Sequence, residues 1–496
     1  PETAAEPDAA AEPETTAGPE TAAGPDEAPP SALRRHRRAL VVAAAVVVLV
    51  VAAAGTVVAY GPDRLRALGV PAPTPTPTVP RPTPTPVPPA LATPSGTATP
   101  DAAAIRGRLG ALLASKSLGK GFGAYVVDEV SGAVLVDQRG TSAVTPASTA
   151  KLATTTAALA SLGPQTRFTT SVVRGKGGVT LVGGGDPTLL GPGRQPPMAG
   201  YPKYARLATL AAQTAKALGK PAGRITVRVD DSLYSGPRLG PGWKPNYVPD
   251  GNVAPVDALM IDHGQADPRK SKRVGDPAVA AGRAFASLLA KHGVHVSGTV
   301  TREKTAKHAA TLAQVRSPTV GDLVEETLTN SDNDMAEALA RHVALNEGLP
   351  GSFPGGASAV HTVLARLGVA DGIHLYDGSG LSPYDRVTAQ ALARVLRLAA
   401  SSGYLELGSV PSGLPVGGYT GTLTTRFGQA HSGVGVVRAK TGTLDGVSSL
   451  AGYVQDRDGR VIVFAFVANG FPRTKTLQAE VVLDRLAAGL ASCGCG

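Results

Sequence analysis

Pro146-Ala147-Ser148-Thr149-Ala150-Lys151-Leu152 opens a strongly apolar run that continues to Leu162. Its two chemically capable side chains are Ser148 and Lys151. A serine hydroxyl is a poor nucleophile until a base removes its proton. Residues three apart share one face of a helix, so Lys151 reaches Ser148 if the run Ser148–Leu162 is helical. A lysine buried near other cations is neutral and can serve as that base. The spacing alone is weak, because Ser117-Leu118-Gly119-Lys120 has it too. That second copy contains Gly and runs into a strand, which keeps its side chains off a common helix face. The plain alternative for Ser148 is a helix N-cap, a position serine favours.

Two further motifs follow in order. Ser331-Asp332-Asn333 holds the only S-x-N of the chain and lies between two helical runs. A second hydroxyl beside a nucleophile can relay a proton to a leaving amine, and an Asn amide can hold a substrate carbonyl or the lysine. The alternative is capping, with Ser331 and Asp334 starting a helix Asp334–Leu345. Lys440-Thr441-Gly442-Thr443 contains the only K-T-G and ends the β-like run Val434–Ala439. A strand edge can pair with an extended peptide, Gly permits close approach, and Lys440 and Thr441 can bind a terminal carboxylate. The alternative is a solvated strand end.

Around these motifs the hydrophobic pattern is mixed. Gly123–Asp128 and Ala133–Asp137 pair as strands about Val130–Gly132. Short strands (Val179–Val182, Ile225–Val229) then alternate with helices (Tyr204–Leu218, Ala278–Lys291). Helices return at Val320–Thr329, Asp334–Leu345, Ala357–Leu367 and Ala389–Ala400. The β-runs Leu450–Val454 and Val461–Val467 precede a last helix at Thr476–Leu490. Strands and helices without regular alternation predict an α+β fold.

S-x-x-K, S-D-N and K-T-G in this order are the signature of class A β-lactamases and penicillin-binding proteins. The chain resembles the low-molecular-mass, class C penicillin-binding proteins, the D-alanyl-D-alanine carboxypeptidase/endopeptidase family. Gly183-Gly184-Gly185-Asp186-Pro187-Thr188-Leu189, Asp230-Asp231-Ser232-Leu233-Tyr234 and Asp377-Gly378-Ser379-Gly380-Leu381-Ser382 look like that family too. The resemblance implies a transpeptidase/β-lactamase-like catalytic domain interrupted by a mixed α/β insertion. It assigns residues 102–163 and 315–490 to the catalytic domain and 164–314 to the insertion, leaving 491–496 as a tail. It further implies that Ser148 is acylated, that Lys151 is its base, and that Ser331 and Asn333 form the second element. Lys440, Thr441, Gly442 and Thr443 would bind the substrate, with the backbone N–H groups of Ser148 and Thr443 as oxyanion hole. Trp243 lies in the region where relatives contact the peptide side chain, although a core role for it is the plainer reading. The implied activity is D-Ala-D-Ala hydrolysis on peptidoglycan stem peptides, with β-lactam antibiotics as inhibitors.

Two alternatives stay open. An anchored serine β-lactamase would share the acylation, but no E-x-x-L-N lies between Ser331 and Lys440. A non-enzymatic penicillin sensor would need a signalling domain. No cofactor is expected, and no metal: the nine His include no H-E-x-x-H.

The segments before residue 102 read differently. Residues 1–38 hold eight acids, no base before Arg34, and the cluster Arg34, Arg35, His36, Arg37, Arg38. Such composition predicts an acidic disordered tail with a basic juxtamembrane end. Residues 39–60 are 22 uncharged, Val/Ala-rich residues, about 33 Å as a helix, enough for a single transmembrane span of roughly 30 Å. The flanking arginines orient the amino end to the cytoplasm and the rest outside, at the cell membrane. Cleavage near Ala52–Gly55, which would release the rest, is the lesser alternative. Within the 61–101 spacer, Pro71 to Pro100 holds twelve Pro and eight Thr, which predicts an extended polyproline-type connector.

Overall, the 496 residues are 43% hydrophobic and 17% charged, which excludes wholesale disorder. The net charge is +10. Setting aside the −8 of the first thirty residues and the +4 of the arginine cluster leaves +14 on residues 39–496, suited to anionic wall polymers. There is no nucleic-acid motif and only 4% aromatic residues for stacking, so no nucleic-acid partner is expected. Cys493 and Cys495 read as a flexible tail feature, too close together for an unstrained disulfide.

Overall fold

The computed structural model describes residues 99–195, 202–219, 223–267 and 271–494. The acidic tail, the 39–60 span and nearly all of the spacer lie outside these. Among the described residues no helix is long and apolar enough to cross a membrane.

The chain starts with a helix, Ala102–Leu113, capped by the Asp101 carboxylate, which accepts from the Ala103 N–H at 2.8 Å. Strands β1 (Gly123–Asp128) and β2 (Val134–Gln138) form a hairpin. After the first motif the chain builds a second sheet from β3 (Thr169–Gly175), β4 (Gly178–Val182), β5 (Thr226–Asp230), β6 (Thr301–Arg302) and β7 (Thr311–Arg316). Its order is β6-β5-β4-β3-β7, parallel from β4 to β6 and antiparallel elsewhere. The helices Leu207–Leu218 and Pro277–Lys291 bury their apolar faces in this sheet's core, around Leu210, Phe285 and Leu289. A short pair, β8 (Ile373–His374) and β9 (Arg386–Val387), follows. The chain then returns to the first sheet with β10 (Val437–Leu444), β11 (Val447–Gln455) and β12 (Val461–Asn469). The completed first sheet runs β10-β11-β12-β1-β2, all antiparallel.

Strand periodicity explains why this sheet is covered on both faces. Along β12, Val461, Val463, Ala465 and Val467 enter one core, while Ile462, Phe464, Phe466 and Ala468 enter the other. The first core is shared with the helices Lys151–Leu162, Val320–Asn330, Asn333–Asn346 and Ala389–Ala400. The second is shared with Ala102–Leu113 and Thr476–Ala491. A central strand buried on both faces reads as one continuous apolar run, as Val461–Val467 does.

The second sheet is reached and left at one place. The Ser317 N–H donates to the Phe168 carbonyl at 2.9 Å, and the Phe168 N–H donates to Ser317 Oγ at 2.9 Å. A long excursion whose ends meet can be accommodated without disturbing the layers it interrupts.

Several local expectations are corrected. K-T-G does not end a strand: β10 begins at Val437 and carries Lys440–Thr443 in its interior, on the edge of the sheet. The cap of the helix Asn333–Asn346 is Asp332, not Ser331, because the carboxylate accepts from the Met335 N–H at 2.8 Å. Ser331 instead closes the preceding helix in a left-handed conformation, φ 58°. Cys493 is not a loose tail residue. It is 1% exposed and packs in the second core.

Candidate active site

Ser148 sits in a tight 3-10 turn, Ala147–Ala150, that feeds directly into the helix Lys151–Leu162. It makes no side-chain cap to that helix, so the capping alternative fails. The preceding Ala147 is left-handed, φ 49°, a strained conformation kept where the surroundings fix it. Thr149 Oγ1 and Ser449 Oγ both donate to the Pro146 carbonyl at 2.7 Å, which ties this turn to the first sheet. Ser449 lies opposite Gly442 in the β10–β11 register. Gly442 therefore abuts the Ser148 turn, and a Cβ there would lie 3.0 Å from Ser148 N.

Lys151 is fully buried and its Nζ contacts three oxygens: Ser148 Oγ at 3.0 Å, Asn333 Oδ1 at 2.6 Å and the Ser379 carbonyl at 2.7 Å. The Asn333 amide is oriented by its own Nδ2, which donates to the Asn252 carbonyl at 2.8 Å. Asn333 Oδ1 and the Ser379 carbonyl can only accept. They take two N–H bonds, and the third position of the amine faces the Ser148 hydroxyl. In the neutral amine that position is a lone pair able to take the hydroxyl proton. Burial lowers the Lys151 pKa, the acids Asp377, Glu337, Asp332 and Asp334 oppose it, and the balance lies at about 8. Burial, aided by Lys151 nearby, pushes Lys440 well below its ordinary value.

The remaining predicted residues divide. Lys440 is fully buried, its Nζ donating to the Thr441 carbonyl at 3.0 Å, and Thr441 Oγ1 bonds Thr422 Oγ1 at 2.8 Å. Thr443 is exposed, and its hydroxyl donates to Glu480 Oε1 at 3.0 Å, on the Thr476–Ala491 helix. Its side chain is thus engaged by that helix. Ser331 and Asn333 flank the cap Asp332, and of the two it is Asn333 that touches Lys151.

Motif reading singled out the Asp377–Ser382 stretch and Trp243 without giving either a supporting role, and it missed Glu337 and Arg341. Glu337 lies one helical turn after Asn333, and its Oε1 accepts from the Gly378 and Ser379 N–H groups at 3.1 and 2.9 Å. It thereby presents the Ser379 carbonyl to Lys151. Burial, with Asp377 nearby, raises its pKa to about 7 despite the Arg341 guanidinium 3.3 Å away. Arg341 itself lies 4.0 Å from the Phe353 ring centre. Asp377 accepts from the Gly380 and Ser382 N–H groups and from Trp243 Nε1, each at 2.7 Å. Trp243 also stands edge-on to Phe353 at 5.3 Å. A further signal was the polar series Asn333, Glu337 and Arg341, spaced four residues apart along one helix face.

A second polar cluster lies behind Asp332. His263 Nδ1 is 2.9 Å from Asp332 Oδ2, and Glu326 Oε2 accepts from the Tyr204 hydroxyl at 2.9 Å. His263, Glu326 and Asp332 place ligand-type atoms within 4.8 Å of one another, the one such group of three among the described residues. Their spacing, 263, 326 and 332, matches no metal motif, so the sequence did not disclose the grouping. Burial opposes the charged imidazole, but the Asp332 carboxylate overrides it and raises His263 to about 9.

A serine and a buried amine three residues apart, met by an amide from a distant segment, are the groups that serine acyl transfer uses. The chain matches the D-Ala-D-Ala carboxypeptidase 3 (S13) family over residues 105–273 and 265–490, and it belongs to that family. It is 38% identical over 408 residues to Carboxypeptidase DacB of Mycolicibacterium smegmatis, covering 80% of this chain and 86% of that one. It is 29% identical over 490 residues to a D-alanyl-D-alanine carboxypeptidase of Actinomadura, covering 81% and 87%. Its fold is similar to that of penicillin binding protein 4 from Haemophilus influenzae, with TM-score 0.62, 24% identity and coverage of 76% of this chain and 98% of the other.

Proposed function

We propose that this chain is a serine-type D-Ala-D-Ala carboxypeptidase acting on peptidoglycan stem peptides, with D-Ala crosslinks as a second substrate for the same chemistry. The observation that carries the reading is the three-point seat of the Lys151 amine on Ser148 Oγ, Asn333 Oδ1 and the Ser379 carbonyl. Ser148 Oγ attacks the carbonyl carbon between the last two D-alanines while Lys151 takes its proton. The tetrahedral oxyanion is met by the backbone N–H groups of Ser148 and Thr443. The C–N bond then breaks, a proton passes to the departing amine with the Ser331 hydroxyl as relay, and D-Ala leaves. Water attacks the Ser148 ester, releasing the shortened peptide and restoring the hydroxyl. Lys440 and Thr441 hold the terminal carboxylate, and β10, as an edge strand, pairs with the extended substrate.

A β-lactam presents the same kind of carbonyl, so it acylates Ser148 and leaves slowly. Placement of the enzyme outside the membrane, tethered by residues 39–60, rests on the sequence reading of that segment. The test is intact mass after penicillin. One adduct is expected on the wild type and none on Ser148→Ala; an unmodified wild type, or an adduct that persists on the variant, removes the reading.

A further inference from the structure

Asn333 touches the amine of Lys151, and what holds Asn333 comes from one segment of the excursion between Phe168 and Ser317. Asn333 Nδ2 donates to the Asn252 carbonyl at 2.8 Å. On one side of it, Asp334 accepts from the Ala254 N–H at 2.7 Å and lies 3.2 Å from an Arg273 guanidinium nitrogen. On the other side, Asp332 has divided duties. Its Oδ1 caps the helix by accepting from the Met335 N–H at 2.8 Å, and its Oδ2 is 2.9 Å from His263 Nδ1. Three consecutive residues are therefore gripped by residues 252–273.

His263 is the grip with a strained backbone. Asp262 and His263 are left-handed in succession, φ 52° and 53°, a rare state for residues other than glycine. The turn is pinned by the Asp262 N–H to the Leu189 carbonyl at 3.0 Å and the His263 N–H to the Pro187 carbonyl at 2.9 Å. Strain of this kind persists where the surrounding contacts over-determine it. Here it delivers the imidazole to the one carboxylate oxygen of Asp332 that the helix does not use.

We propose that His263 is a positioning residue for acylation: it holds Asp332 and, through it, fixes Asn333 Oδ1 against the Lys151 amine. This rests on the function proposed above. His263 touches no reacting atom, so its removal should slow the acyl-transfer step and leave β-lactam binding nearly unchanged. Misplacing a catalytic contact by about 1 Å can slow a reaction about a hundredfold. For a group acting at second hand we expect a loss of about tenfold or more in the acylation rate of His263→Ala.

The measurement is the rate of acylation by a fluorescent penicillin as a function of its concentration, which separates the pre-acylation binding constant from the chemical step. Thermal melting accompanies each variant. His263→Asn tolerates the left-handed backbone and keeps a donor near the Nδ1 position, so it should recover to within about threefold of wild type. Arg302→Ala, which removes the pairs to Asp231 and Asp276 at 2.6 and 2.7 Å, is the control for general loosening of the excursion. It should lower the melting temperature with acylation unchanged. If His263→Ala does not fold, Asp332→Asn retains the cap acceptor while removing the charge that His263 holds, and it should show the same selective loss. A folded His263→Ala that acylates at the wild-type rate overturns the inference. So does an Asn variant no faster than the Ala variant, or a loss that Arg302→Ala reproduces. Absence of acylation in the wild type is a different result: it removes the proposed function and this inference with it.

Discussion

Gly442→Ala tests the packing of strand β10 against the Ser148 turn. A Cβ at this position would fall far inside contact distance of Ser449 Oγ, 2.8 Å from the Pro146 carbonyl oxygen and 3.0 Å from Ser148 N. None of these can yield cheaply. Ser449 is 1% exposed, and its hydroxyl is committed to the Pro146 carbonyl at 2.7 Å. Normal contacts from a Cβ begin near 3.4 Å, so the Pro146–Ser148 turn and β10 must separate by several tenths of an ångström to about 1 Å. Overpacking of this size costs about 1–3 kcal/mol of stability. A functional loss of similar size in free energy accompanies it, because the separation moves Ser148 away from the strand that faces it: about a hundredfold in penicillin acylation. Fluorescent-penicillin kinetics with parallel thermal melts measure both. Gly442→Ala combined with Ser449→Ala removes the worst collision and should recover part of the rate. Acylation within about threefold of wild type in the single variant would refute the reasoning, since a loss of about a hundredfold is required.

Two further predictions concern protons. With Lys151 as the proposed base, acylation would require its neutral form, and its pKa is depressed to about 8. The neutral fraction is about a tenth at pH 7 and about nine-tenths at pH 9, so the acylation rate should rise roughly tenfold between them; a flat profile contradicts the base assignment. His342 is buried, stacked on Phe168 at 3.6 Å and depressed to about 4 by that burial. Its folded value lies below the unfolded value of 6.5, so the unfolded chain binds the proton first. The penalty is absent above pH 6.5, grows as pH falls through that window and is complete below about 4, reaching about 3 kcal/mol. His342→Phe keeps a ring against Phe168 and should flatten the decline of melting temperature between pH 6.5 and 4; an unchanged decline refutes it.

How much of this was legible beforehand depends on range. The Val461–Val467 run, the helix Ala389–Ala400 and the Ser148–Lys151 pairing are properties of a few consecutive residues, and periodicity exposes them. The order of the strands was not readable. β1 pairs with β12 across more than three hundred residues, and no local pattern encodes that choice. Strand ends were misplaced where polar residues continue a strand, as Lys440–Thr443 do, because burial of Lys440 is imposed by the layers around it. The supports of the site were hidden for the same reason. Ser379 contributes a backbone carbonyl, which carries no sequence signature, and Glu337 acts through two backbone N–H groups. The capping alternative for Ser331 rests on Ser and Asp both being good caps; the neighbouring Asp332 holds that position.

The paired hydrogen bonds between Phe168 and Ser317 give the excursion a single doorway. By chain geometry alone the whole lobe looks detachable, since a short linker could close the gap it leaves. Chemistry forbids the shortcut: the carbonyl of Asn252 and the imidazole and guanidinium beyond it travel with the lobe. Any exchange of this lobe between homologous proteins therefore has to carry those groups over as a matched set, or the recipient's Asn333, one of the three contacts of the Lys151 amine, is left without its support.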